Sequence, residues 1–213
     1  MRIAILVEGI TEETFVNELL VNHYLLQNKD ITPIILTTKR VASGNKFKGG
    51  MPNYRKIRKE IKLLLGSFDK VTTMFDYYGL SSSFPGFKTQ PIGDPYLKVN
   101  YLESQLANDI NSVNFIPYIQ LHEFEGLLFS ADNGFKYVFP DKKVEIASIQ
   151  KIMITCPNPE LINLGKTTAP SKRILSIFPD YEKPFHGALM AISIGLSIIS
   201  RKCSHFNNWI NTL

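Results

Sequence analysis

The apolar positions of this chain fall into short β-branched runs separated by segments of helical spacing, and through the first two thirds the two patterns alternate. Residues 2–8, 31–37, 70–75 and 115–121 read as strands. Residues 11–24, with Phe15, Leu19, Leu20 and Tyr24 inward, 53–65, with Ile57, Ile61 and Leu64 inward, and 95–108 read as the helices between them. This alternation predicts an α/β fold, a mostly parallel four-stranded sheet flanked by helices. Thr11 is the expected N-cap of the first helix, with Glu12 and Glu13 in its first turn, where they complement the helix dipole. Pro33 suits a strand start or an edge position better than a central one.

Past Asp132 the strands stop. Segments near 144–154, 159–164, 170–178, 186–199 and 205–213 have helical character. They predict a helical extension, residues 132–213, packed on an α/β core, residues 1–131, as one compact unit, because no linker-like composition separates the two. The stretch 81–95, rich in Ser, Pro and Gly and carrying Phe84 and Phe87, is a long loop of the kind that is usually functional or mobile.

Composition changes this picture little. A chain of 213 residues, 44% hydrophobic and 20% charged, is ordinary for a globular protein and lies outside the disordered class. Cys156 and Cys203 are far apart and show no metal-ligand spacing, which argues against a zinc site or redox motif and fits a reduced cytoplasm. Glu8 interrupts the first apolar run too early for a signal-peptide core. The longest apolar stretch, 188–196, is far short of the ~20 residues that span a bilayer. A cytoplasmic protein without membrane contact is the expectation.

Charge and chemistry add more. Three predicted strands end on acid: Glu8 after the first, Asp76 after the third, Glu123 and Glu125 after the fourth. In a parallel sheet these ends share the edge beyond which ligands bind. Carboxylates brought together there raise one another's pKa or require a cation, and hard oxygen donors suit Mg²⁺ or Mn²⁺. Such an ion serves phosphodiester cleavage. Glu8 is the candidate general acid or base. Asp76 and Glu123 are candidate ligands, with Glu12 one helical turn beyond Glu8 and Glu125 two residues past Glu123. If the fourth strand continues, Glu123 and Glu125 share a face; if a helix begins, they diverge.

The net charge of +5 is compatible with a polyanionic partner. Residues 39–62 hold nine Lys or Arg against one acid, Glu60, so Lys46, Lys48, Arg55, Arg58 and Lys59 are the candidate nucleic-acid contacts. Near the end, Pro170-Ser171-Lys172-Arg173 opens a helix whose N-terminus suits phosphate, with Lys172 as a charge stabiliser and Arg173 as a further contact.

The turn Glu8-Gly9-x-x-Glu12 after a strand resembles the first motif of Toprim domains, the metal-dependent module of topoisomerases, primases and several nucleases. Together with Phe75-Asp76-Tyr77-Tyr78-Gly79-Leu80, His122-Glu123-Phe124-Glu125-Gly126-Leu127-Leu128-Phe129, Thr168-Ala169-Pro170-Ser171-Lys172-Arg173, His186-Gly187 and Cys203-x-His205-Phe206, it resembles a Toprim-like bacterial family known as a domain of unknown function, DUF4276. The resemblance implies a Toprim-like, Rossmann-like core, acid/base work by Glu8, and Mg²⁺ or Mn²⁺ at the position of an Asp-x-Asp pair. Here that pair is Asp76 and Tyr78, and a neutral phenol is a poor Mg²⁺ ligand, so Glu123 or Glu125 must supply the missing charge. The resemblance also implies an ATPase partner of the ABC or overcoming-lysogenization type, in defence against phage.

The leading expectation is a divalent-metal-dependent phosphodiester hydrolase of Toprim type, acting on nucleic acid, with DNA ahead of RNA. The alternative is a non-catalytic subunit that keeps the scaffold to bind nucleic acid or an ATPase. A nucleotide-binding α/β protein of another kind lacks support, since neither G-x-G-x-x-G nor G-x-x-x-x-G-K-[ST] is present.

Overall fold

A computed structural model of the chain describes residues 1–36, 51–163, 165 and 168–213. The chain opens with β1 (Arg2–Val7), which leads through Gly9 into α1 (Ile10–Phe15), a π-helical stretch (Val16–Val21) and α2 (Asn22–Leu25). Next come β2 (Asp30–Ile35), α3 (Tyr54–Leu64), β3 (Lys70–Asp76) and α4 (Pro95–Ile110). Two short strands follow, β4 (Phe115–Ile116) and β5 (Ile119–Gln120), and then helices α5 (Asn133–Val138), α6 (Lys143–Thr155), α7 (Pro170–Ile177), α8 (Ala188–Ile194), α9 (Leu196–Lys202) and α10 (Ser204–Ile210).

The sheet is parallel at every pairing, in the order β2-β1-β3-β4, with β5 also on β3. Successive residues of β1 face opposite sides, and both sides are covered. Ile3, Ile5 and Val7 join an apolar cluster with α1 and the C-terminal helices, whereas Ala4 and Leu6 join a second cluster with α3 and α4. A strand buried on two faces is continuously apolar, as β1 is. Pro33 lies on β2, an edge strand, where its missing N–H leaves no inner ladder incomplete.

Some elements differ from the sequence reading for identifiable reasons. Thr11 does not cap the first helix. Gly9 does, in extended backbone at φ −162° and ψ −171° with no side-chain cap, and Thr11 is buried inside the first turn. The expected fourth strand is split at Pro117, which has no N–H to give the ladder. Across the gap, the Thr73 hydroxyl accepts from the Tyr118 N–H at 2.9 Å and donates to the Tyr118 carbonyl at 2.9 Å. A side chain thus replaces one rung, and β5 resumes in the same register.

The helices after residue 132 share the first cluster with β1, from Phe135 through Ile174 and Met190 to Leu213. Trp209 of α10 stacks on Tyr118 with ring centroids 4.2 Å apart and donates to Thr72 Oγ1 at 2.8 Å. Among the described residues, no single helix is long and apolar enough to cross a membrane. The segments Lys183–Ile194 and Leu196–Lys202 reach that length only together, and they are bent by 86° at Gly195, whose φ is +84°. The helix expected over 186–199 is broken there because a left-handed residue cannot continue it.

Glu160 fastens α10. Its buried carboxylate accepts from the Tyr96 hydroxyl at 2.8 Å and from the N–H groups of His205 at 3.1 Å and Phe206 at 2.9 Å. Replacing it by Ala strands these donors in a dry interior. Glu160→Ala is expected to lower stability by about 3–5 kcal/mol in urea titrations, and a loss under about 1 kcal/mol would mean the network carries little.

Candidate active site

The carboxyl ends of β1, β3 and β5 deliver the acids to one edge, where Glu8 and Asp76 are each held by a backbone donor from a neighbouring strand end and Glu123 by one from α7. Glu8 Oε1 accepts from the Asp76 N–H at 2.6 Å. Asp76 Oδ1 accepts from the Phe124 N–H at 2.8 Å. Glu123 Oε2 accepts from the Ser171 N–H, in the first turn of α7, at 3.0 Å. These bonds tie the strand ends together in sequence-remote pairs. Gly79, just beyond β3, permits the close approach of Glu8, since a Cβ there would lie 2.7 Å from Glu8 Oε2.

Lys183 is the cation of this cluster. It opens the π-helical turn Lys183–Gly187 ahead of α8, and its Nζ lies 3.2 Å from Glu125 Oε2, 3.4 Å from Asp76 Oδ2 and 3.5 Å from Glu12 Oε1. Glu125 is 0% exposed and Glu12 is buried, whereas the Lys183 side chain is 37% exposed, so these pairs are shielded on the carboxylate side and open to solvent on the ammonium side. A 3₁₀ segment (Phe124–Ser130) begins directly after Glu123, so Glu123 and Glu125 diverge, one toward α7 and the other into the interior on Lys183.

One ammonium does not balance this many carboxylates. Burial pushes the Glu8 carboxyl up to about 7; the Asp76 N–H opposes that rise and Glu12 adds to it. Burial also raises Asp76 well above the usual carboxylate range, against the pull of Lys183, and raises Glu125. Burial alone would lower Lys183, but Asp76, Glu125 and Glu12 outweigh it and hold the ammonium charged. The cluster therefore demands protons or a further cation.

The donor set, all carboxylate oxygen, is of the chemical type that suits Mg²⁺ or Mn²⁺. Glu8, Asp76, Glu123 and Glu125, with Glu12 behind them, are the residues that would hold it. Among the described residues, no three Asp, Glu, His or Cys side chains already form a ligand set, because Asp76, Glu12 and Glu125 close on the Lys183 ammonium instead.

The other sequence candidates lie elsewhere. Lys172 is exposed on α7, and the N–H beside it, that of Ser171, is taken by Glu123 rather than left for phosphate. Arg173 donates to the Thr168 carbonyl at 2.9 Å. Arg55, Arg58 and Lys59, with Lys62 and Leu63, line a shallow depression along α3, and Arg58 also pairs with Asp109 at 2.6 Å. Lys46 and Lys48 lie outside the described residues. Tyr78 carries its ring against His122, with centroids 5.5 Å apart.

The sequence reading missed Lys183. No local spacing marks it, since its partners lie 58 to 171 positions away, and the only hint was its place just before the His186-Gly187 element. Tyr181 was also missed: its hydroxyl is buried beside Gly187 without a partner among the described residues, and burial with nearby Glu125 keeps the phenol protonated.

The fold and site define a parallel α/β protein with an acidic cluster at the carboxyl edge of its sheet. The chain belongs to the family described as Domain of unknown function (DUF4276), whose model matches residues 7–213. No protein of curated function matches it in sequence. A similar solved structure is the C-terminal region of the Xanthomonas campestris pv. campestris OLD protein, 16% identical, with 99% of this chain and 96% of that chain covered and a TM-score of 0.44. A likeness so weak adds no weight to a reading of the site.

Because the folded state favours protonated Glu8, its contribution to stability is whole below the ordinary value of 4.5 and is lost as pH rises through about 7. In EDTA, Glu8→Gln, which keeps the acceptor for Asp76, should therefore be more stable than wild type at pH 8 by about 1–3 kcal/mol and no more stable at pH 4. Equal stabilities at pH 8 would show that Glu8 ionises without strain. Lys183→Met, which removes the balancing charge at a half-exposed position, should cost about 1–3 kcal/mol at pH 8 and less at pH 5, read by denaturant midpoints.

Proposed function

We propose that the protein is a divalent-metal-dependent phosphodiester hydrolase acting on nucleic acid. The observation that carries this reading is the convergence of Glu8, Glu12, Asp76, Glu123 and Glu125 at the carboxyl ends of three parallel strands, with Lys183 as their cation among the described residues. A core that only needed to pack would not bury Glu12 and Glu125 beside three half-buried carboxylates.

When bound, Mg²⁺ or Mn²⁺ supplies Lewis-acid polarisation of the phosphoryl oxygen and a more acidic water. Glu8, held near neutrality by burial, is placed to take a proton from the attacking water or return one to the leaving oxygen. Lys183 brings a fixed positive charge to a phosphoryl group at the same edge. Asp76 and Glu125 orient that ammonium, and the Phe124 N–H fixes the Asp76 carboxylate in turn. The exposed bases of α3, Arg55 and Lys59, suit the phosphate backbone, contacts that position without reading sequence. DNA is the first substrate to test, and an ATPase of the ABC or overcoming-lysogenization type is the partner that the family resemblance suggests.

The second reading, a scaffold that binds without cleaving, is favoured by two features. Tyr78 stands where a second Asp would add charge, and the Lys183 ammonium already sits among the carboxylates.

Calorimetric titration of Mn²⁺ into wild type, Glu8→Gln and Asp76→Asn separates the two. The hydrolase reading expects binding that both substitutions weaken at least about tenfold, and metal-dependent cleavage of DNA that both abolish, with an ATPase supplied if the chain alone is silent. Wild type that binds no metal up to millimolar concentrations and cleaves nothing would leave the scaffold. In either case, Arg55→Ala with Lys59→Ala should lower the slope of log affinity against log salt by up to about 2 on duplex DNA. An unchanged slope would remove α3 from the interface.

A further inference from the structure

Beside the carboxylates lies a cavity of about 320 Å³ walled by Tyr77, Tyr78, Pro95, Lys98, Val99, Leu121, His122 and Asn163. It adjoins the acidic site through the chain itself, since Tyr78 is two residues past Asp76 and His122 immediately precedes Glu123. Its size and its mixture of apolar wall with a few polar groups are those of a small-ligand pocket.

His122 is the unusual member. It is 7% exposed, its backbone is left-handed at φ +63°, and neither ring nitrogen, both buried, has a hydrogen-bond partner among the described residues. A neutral imidazole carries one donor and one acceptor, and both go unmet here. Buried polar groups are normally satisfied, so an orphaned pair bordering a cavity marks a place where a ligand completes the bonding. A side chain serving only as packing would be apolar.

The remaining walls indicate which ligand. Tyr78 is 44% exposed, and its N–H donates to the His122 carbonyl at 3.1 Å, so the two rings are held as a pair at the mouth of the cavity. Tyr77 is fixed by its hydroxyl on Gln90 Oε1 at 2.7 Å. A flat aromatic face, a donor and acceptor on one heterocycle, and the ammonium of Lys98 on the wall match a planar base attached to a phosphate. Stacking recognises the base, the imidazole meets its polar edge and Lys98 meets the charge.

We propose that this cavity is a base subsite: it receives one unstacked nucleobase of the strand whose phosphate lies at the carboxylate cluster, so that the substrate is single-stranded or locally unpaired nucleic acid. The imidazole meets the base by turning into the cavity it borders. The proposal rests on the nucleic-acid reading of the acidic site but not on catalysis there. A base inside a duplex is stacked and paired, and only an extruded one reaches a side pocket.

The test uses full-length protein in EDTA and fluorescence anisotropy. The probes are a single strand of about 12 thymidines and an abasic deoxyribose-phosphate strand of equal length. Wild type should bind the base-bearing strand at least about tenfold more tightly, the scale of one stacked base. His122→Asn, which tolerates the left-handed backbone, and Tyr78→Leu should bring that ratio to near one while leaving affinity for the abasic strand unchanged. Equal affinities in wild type, no binding of either strand, or a ratio that survives both substitutions would overturn the proposal.

A second measurement needs no variant. Adenosine 5′-monophosphate should shift the His122 ring nitrogen resonances, whereas ribose 5-phosphate should not, and equal responses to the two would count against a base site. Binding of the mononucleotide without preference for the base-bearing strand would also overturn it, in favour of a free nucleotide ligand. Metal-dependent cleavage of abasic and base-bearing strands at equal rates would remove the subsite while sparing the hydrolase. Base discrimination without cleavage would do the reverse.

Discussion

The ion cluster around Lys183 is the interaction on which the rest of the structure depends. Carboxylates brought together repel one another and resist leaving water, and a single half-exposed ammonium allows Glu12, Asp76 and Glu125 to share the same site. The ammonium comes from the helical region, and the carboxylates come from α1, β3 and the segment after β5. Electrostatics thereby fixes how the C-terminal helices sit on the sheet, in addition to the apolar cluster that runs from Ile3 to Leu213. Removing either side leaves the other with an uncompensated charge.

Backbone donors complete that arrangement. The N–H groups of Asp76, Phe124 and Ser171 each fix one carboxylate, so the side chains are oriented by main chain whose own position is set by the parallel pairing of β3 with β1 and β5. The break at Pro117 matters here. It lets the chain reach β5 without losing register, and β5 places His122, Glu123 and Glu125 beside Asp76. The Thr73 hydroxyl that spans the break is thus indirectly part of the site.

The acidic site and the cavity at His122 are two faces of the same strand ends. One face gathers charge and the other offers an aromatic, nearly apolar recess with unmet hydrogen-bonding groups. The exposed bases of α3 lie on the helix between β2 and β3, well placed in chain order but separate from the carboxylates. A polyanion engaged by both would have its charge met at α3 and its chemistry at the strand ends.

What the sequence determined by itself was whatever depends on local periodicity and on the rule that ligands gather beyond the carboxyl ends of parallel strands. The apolar runs of β1 and β3, the basic helix α3, and the acids at the strand ends were all legible, because each is encoded within about ten consecutive residues. The partner of those acids was not. Lys183 is separated from Asp76 by 107 positions, and nothing in its neighbourhood distinguishes it from exposed Lys172, which stands at a more recognisable motif. The divergence of Glu123 from Glu125 turned on where a 3₁₀ turn begins. The burial of the His122 nitrogens without a partner among the described residues is a property of the folded chain that no local pattern announces. Pairings between remote segments, and the burial that moves the pKa of Glu8 toward neutrality, exist only once the sheet has brought three chain segments to one edge.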